Sequence, residues 1–255
     1  MSRGSDITQL RLEASYLLEE AKDWFNCNRL KINEEKTQTL LCTLKTGVPF
    51  QEAVKLLGFW LDSKLSWNDH LSKVCTKLSR VICLLRKLRA LITRPYLLTV
   101  YHALFHSHLM YGIVLWGHSP AVRDVLLLQK KALRILTSSA PREHCRPLFM
   151  ELGVLTVYSQ YILNTLVLLR ENLADFVTRD NVHKYNTRRA QDLDMPRCRL
   201  SGTQKAYPQS AIKIFNTLPQ NVRVLEMRDF KKVLKDRLLE RPLYSLEELN
   251  HEPLF

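Results

Sequence analysis

Asp192 and Asp194, two apart in this 255-residue chain, are spaced as alternates on an extended strand, a pair of carboxylates that could serve metal chemistry. Two-metal phosphoryl transfer needs carboxylates converging on ions about 3.5–4 Å apart. This pair lies in a loop-like stretch beside basic residues, and a surface role is the stronger reading. His102 and His106 are four apart, which places two imidazoles on one helix face, an arrangement that suits zinc. No third ligand or general base accompanies them, so a half-buried structural pair accounts for them better. His144–Cys145 reads as structural as well. There is no adjacent Asp pair, no phosphate-binding glycine loop, no G-x-S-x-G and no H-E-x-x-H. The six cysteines, Cys27, Cys42, Cys75, Cys83, Cys145 and Cys198, contain no Cys-x-x-Cys spacing. They read as reduced thiols, several on apolar faces, rather than a zinc site or a disulfide framework.

The cations carry more information. Lys plus Arg number 38 against 25 Asp plus Glu, a formal net charge of +13, which favours a polyanionic partner, nucleic acid before a membrane surface. Between Leu71 and Arg123 there is no acid, yet there are eight Lys or Arg residues and four histidines. Lys73, Lys77, Arg80 and Lys87 share one face of a helix whose other face is apolar, and they span about 21 Å at ~1.5 Å per residue. Cations so spaced can follow a phosphate backbone, each neutralised phosphate releasing counterions; a solvated helix face is the plainer alternative. Lys184, Arg188, Arg189, Arg197, Arg199 and Lys205 form a second basic set, with Tyr185 and Tyr207 interleaved. Aromatics among cations can stack bases, and an ordinary polar loop surface explains them equally well.

These residues need elements to hold them. Apolar spacing predicts a helix over 6–28 capped by Ser5 or Asp6, then a strand over Thr37–Leu44, a turn at Gly47 and Pro49, and a second strand over Val54–Leu61 with Gly58 in its interior. The basic helix follows, closed by Thr93, Arg94 and Pro95. Tyr96–Trp116 is long and apolar but carries His102, His106 and His108. Those would be costly in hydrocarbon, so it reads as one central core helix and not a membrane span. Ser119 with Pro120 is expected to cap a helix running to Leu136, Gly153 to end a short helix, and Thr156 to cap another reaching Asn172. Residues 180–208 are expected to be loop-rich, Pro208–Phe215 and Met227–Leu239 helical, and the acidic tail SLEELNHEPLF frayed. The N-terminus has no signal-peptide pattern.

Several stretches in order, DWFNCNRLKINEEKT, VKLLGFWLDSKLSWNDHL, VYHALFHSHLMYGIVLWG, LQKKALRIL, HKYNTRRA and IFNTLP, resemble the C-terminal part of reverse transcriptases of non-LTR retrotransposons of the jockey-like kind. The resemblance covers roughly residues 6–220. It implies a mainly α protein with a small α+β N-terminal unit, a helix plus β-hairpin left from a polymerase palm, over 1–66. A thumb-like basic helical region over 67–140 and a helical C-terminal extension over 141–255 would follow. It further implies that Lys36 corresponds to the motif D lysine that protonates the leaving pyrophosphate, a group able to stabilise phosphate charge. Leu57, Gly58 and Phe59 would form the primer grip, and Lys73, Lys77 and Arg80 would belong to the thumb. The partner would be an RNA or DNA primer–template.

The family's enzyme copies RNA into DNA with two Mg²⁺ ions held by an Ala-Asp-Asp turn. This sequence has MSRGSD where that turn would just have ended. The expectation is a 5′-truncated element whose chain needs no cofactor of its own and does not polymerise alone. Two alternatives stand beside nucleic-acid binding: a subunit that complements a separate palm and fingers polypeptide, and a helical protein-interaction module. The expected location is intracellular, nucleus or cytoplasm, with no membrane and no secretion; the sequence assigns no oligomeric state.

Overall fold

The structure, a computed structural model, describes residues 6–45, 52–182 and 189–255. It is mostly helical, with a two-stranded antiparallel sheet. The first helix, α1 (Ile7–Cys27), begins where the Asp6 carboxylate accepts from the Thr8 amide at 2.9 Å. None of its residues is buried. Leu12, Tyr16, Leu17 and Trp24 are exposed, Trp24 by 60%.

The expected pairing of a strand over Thr37–Leu44 with one over Val54–Leu61 is corrected. Residues 37–45 adopt no regular strand; strand-forming composition decides little by itself, because β propensity depends on context. The segment expected to be one strand instead folds back on itself: β1 (Val54–Leu56) pairs with β2 (Phe59–Leu61), Leu56 opposite Phe59. Leu57 and Gly58 form the turn, with φ of 47° and 88°, the two left-handed positions that a type I′ hairpin demands. Gly58 is therefore a turn residue, not an interruption of a strand. The Thr43 amide donates to the Ser63 carbonyl at 3.0 Å, just beyond this sheet's far end.

From β2 the chain enters α2 (Asn68–Leu88) through a loop organised on one carboxylate. Asp62 accepts from the amides of Lys64, Ser66 and Trp67 and from the Ser66 hydroxyl, at 2.9–3.1 Å. Leu65 and Trp67 adopt left-handed backbone there, with φ of 51° and 66°.

Beyond that loop one hydrophobic cluster runs from Leu71 to Leu254. Leu71, Val74, Leu78, Val81, Ile82 and Leu85 form the buried stripe of α2, and its main partner is α6 (Val122–Thr137). The Tyr96–Trp116 segment is not one helix. It runs as α3 (Arg94–Val100), an i→i+5 stretch over Tyr101–His106, α4 (Ser107–Met110), a break at Gly112 with φ 61°, and α5 (Ile113–Trp116). The cause is legible. Leu97, Tyr101, Phe105, Leu109 and Ile113 are all buried and recur every fourth residue. At 3.6 residues per turn such a series drifts by about 40° per step, and a wider turn keeps it facing the core.

α6 does not start on Ser119, as expected; Ala121 precedes it, and the Ser119 hydroxyl donates to the Ser66 carbonyl at 3.0 Å, tying the α2 entry loop down. Gln129 of α6 is fully buried and fully used. It donates to the Tyr101 hydroxyl (3.0 Å) and the Leu155 carbonyl (2.9 Å) and accepts from the Val157 amide (2.9 Å). A satisfied buried amide of this kind specifies one packing. α7 (Cys145–Leu152) ends at Gly153, φ 63°, and α8 (Val157–Glu171) is capped by Thr156, both as expected. α8 is buried nearly all round and forms the centre of the body.

α9 (Gln209–Phe215) and α10 (Met227–Glu240) pack on α8. The tail is not frayed. Arg237 and Arg241 donate to the carbonyls of Leu254, Glu252 and Pro253, Glu248 pairs with Arg146 at 3.0 Å, and Leu254 is buried. The cysteines are all free, but of the six only Cys145 is buried. Among the described residues no single helix is long and apolar enough to cross a membrane; the bent pair α7–α8 passes by length and composition, and α8 is spent on the core.

Candidate nucleic-acid interface

Lys73, Lys77, Arg80 and Lys87 are all exposed on α2, opposite its buried stripe. The heptad-like spacing that sends Leu71, Leu78 and Leu85 inward sends these four outward. Among the described residues none of the four is in an ion pair. Leu84, 39% exposed, interrupts the stripe between Arg80 and Lys87 and went unnoticed as a surface residue in the periodicity. The stretch free of acids in sequence is not free of them in space. Asp124 of α6 lines a groove of about 470 Å³ along α2 together with Asn68, Ser72, Thr76 and Ser79.

The hairpin stands against this helix. The Lys73 ammonium lies 5.3 Å from the centre of the Trp60 ring. Phe59 is stacked on Tyr111, centroids 4.8 Å apart and planes 10° from parallel, and lies 5.3 Å from the His70 ring. The Tyr111 hydroxyl donates to the carbonyl of Leu57 at the turn. A Cβ on Gly58 would approach the Tyr111 ring at 3.3 Å, and one on Gly112 would come within 2.3 Å of Phe59. Gly58 thus has a reason inside the chain, its turn geometry and the close tyrosine, independent of any nucleic acid. Leu57 is 80% exposed at the tip.

His70 is buried among Phe59, Trp67 and Trp116, and neither ring nitrogen finds a hydrogen-bond partner among the described residues. Burial, and secondarily the Lys77 charge, pushes its pKa below the ordinary 6.5. It is a neutral ring in the joint between hairpin and body.

The structure sets the hairpin of Leu57, Gly58 and Phe59 against the start of α2, at His70 and Lys73, with Lys77, Arg80 and Lys87 further along the same helix, but not every expected residue belongs there. Lys36 sits on a 3₁₀ turn, Glu34–Lys36, capped by the Asn33 side chain. Arg189 is exposed in a turn ahead of Asp192. The hydrogen bonds and ring contacts that join the hairpin to α2 include neither. Arg188, Lys184 and Tyr185 lie outside the described residues. Tyr207 packs partly buried against the core, which leaves it poorly placed to stack a base. Tyr111 was missed by sequence reasoning; it sits beside a glycine inside an apolar run, and that adjacency was the available signal.

Asp192 and Asp62 are both engaged within the chain rather than free to hold Mg²⁺. Asp192 is paired with Arg223 at 2.8 Å with both side chains largely covered, and Asp62 is committed to the α2 entry loop. His102 and His106 meet edge-on at 5.4 Å, both held below the ordinary histidine pKa chiefly by burial. No group of three metal-ligating side chains occurs among the described residues. Comparison with family models, with curated proteins and with solved structures finds no match.

Proposed function

We propose that this chain binds nucleic acid, a primer–template duplex in the first instance, through the α2 cation stripe and the hairpin tip beside it, and that it does not extend a primer by itself. In this reading it is a relative of the C-terminal part of a non-LTR retrotransposon reverse transcriptase, with the hairpin as palm remnant and α2 as thumb. One observation carries it: Lys73, Lys77, Arg80 and Lys87 stand exposed along one helix face, with no ion pair among the described residues. Four cations on about 21 Å of helix match a row of phosphates, while the exposed leucine of the turn offers an apolar contact to sugar or base. Lys36 would act in phosphate chemistry only beside catalytic carboxylates, and the sequence has no adjacent Asp pair.

Filter binding of a primer–template from about 50 to about 300 mM salt tests the binding. Four phosphate contacts give a log–log slope of about −3.5, and Lys77→Ala or Arg80→Ala each makes it shallower by about 1. No binding at low salt overturns the reading in favour of a protein-interaction module. Dose-dependent extension on a homopolymer template with Mg²⁺ overturns the inactivity.

A second reading is favoured by the exposed Leu12, Tyr16, Leu17 and Trp24 of α1 and by exposed Leu44 and Leu56. Apolar surface of that kind suits a subunit that complements a separate palm and fingers polypeptide. Extension by such a polypeptide only when this chain is added would establish it.

A further inference from the structure

Two strands of three residues each are marginal on their own in water. This hairpin carries a further handicap. Leu57 holds φ 47° at the first turn position, where a left-handed backbone favours Asn or Gly. The turn must be held from outside. The contacts from Lys73 to Trp60 and from His70 to Phe59 reach the second strand. The bond from Tyr111 reaches the turn backbone itself, across 54 residues of sequence.

Tyr111 is in turn fixed from the core. The indole of the buried Trp116 donates to the Tyr111 carbonyl at 3.0 Å. Gly112, at φ 61°, breaks the helix so that the Phe59 ring can occupy the space a Cβ would take. The phenol itself is about half exposed, so it adds little to the core. Its ring and hydroxyl are spent on the hairpin.

We infer that Tyr111 is the positioning residue of the hairpin tip: it relays the rigid body, through Trp116, to the Leu57 carbonyl and sets where the tip stands relative to the α2 cations. This role rests on the nucleic-acid reading above. It gives the tip a defined place against a bound strand, while the cations supply the salt-dependent attraction.

The test uses Tyr111→Phe, which keeps the stacked ring and loses the hydrogen bond, and Tyr111→Ala, which loses both. Hydrogen exchange at residues 56–61 is read beside primer–template affinity, salt slope and thermal unfolding. In Tyr111→Phe, tip exchange quickens and affinity falls by about fivefold. In Tyr111→Ala both change by about 30-fold. The salt slope stays that of the unsubstituted protein, because the cations are untouched, and so does the unfolding midpoint. Unchanged tip exchange and affinity in Tyr111→Ala overturn the inference while leaving the binding reading intact. A shallower salt slope assigns the loss to displaced cations and also overturns it. An unsubstituted protein that binds nothing overturns the binding reading, and with it the role in binding.

Discussion

α1 and α2 are equally long, 21 residues each, and both are amphipathic in sequence, yet one buries nothing and the other anchors a core. α2 lays Leu71, Leu78 and Leu85 against α6. α1 keeps Leu12, Tyr16, Leu17 and Trp24 in water. The difference shows that periodicity states only what a helix is able to bury. Whether it does depends on a partner surface, and most helical stability comes from that packing rather than from propensity. The charges divide likewise. Arg11 and Lys22 are outnumbered on α1 by Glu13, Glu19, Glu20 and Asp23, whereas α2 carries Lys73, Lys77, Arg80, Arg86 and Lys87 against Asp69.

This contrast can be broken by substitution. The largest effect belongs to the body: Phe105→Ala is expected to lose about 3–5 kcal/mol in urea unfolding, because the ring is fully buried on the i→i+5 segment. Next comes the joint. Gly112→Ala forces a Cβ into Phe59 and is expected to cost roughly 1–3 kcal/mol, seen as freed hairpin amides with the body intact. Acid should act on the same joint. His70 has a lowered folded-state pKa, so below its ordinary value the unfolded chain binds the proton more readily. Stability is then full above pH 6.5 and declines as pH falls beneath it. A urea series from about pH 7.5 to about pH 5.5 measures this, and His70→Leu flattens the decline. His102 and His106, also lowered, act in the same direction. The smallest effect belongs to α1, where Trp24→Ala should change stability by no more than about 0.5 kcal/mol. A loss as large as that of Phe105→Ala would mean that α1 is packed after all and would erase the contrast.

Much of the helical body was legible. The boundaries of α1, α2, α8 and α10 and the end of α7 follow from caps and apolar spacing within a residue or a few, since Asp6, Gly153 and Thr156 are local signals. What escaped depends on contacts distant in sequence. Thr37–Leu44 has strand residues, yet the chain there takes up no regular strand. Ser119 looks like a cap and instead holds Ser66. The acidic tail looks solvated and is pinned by Arg146, Arg237 and Arg241. At the candidate site the cation stripe was visible in the spacing of four residues. The anchor of the hairpin was not, because Tyr111 meets Leu57 only after the body has folded.

That last contact also sets an order of events. A ribosome releases Val54–Leu61 well before Tyr111, and the hairpin cannot complete its closure until the segment ending at Trp116 is packed. During synthesis the turn is therefore a late acquisition. Under mild destabilisation it is the piece expected to let go first, as a local opening below the global transition. The hairpin's order is thus a gauge of whether the helices behind it have matured.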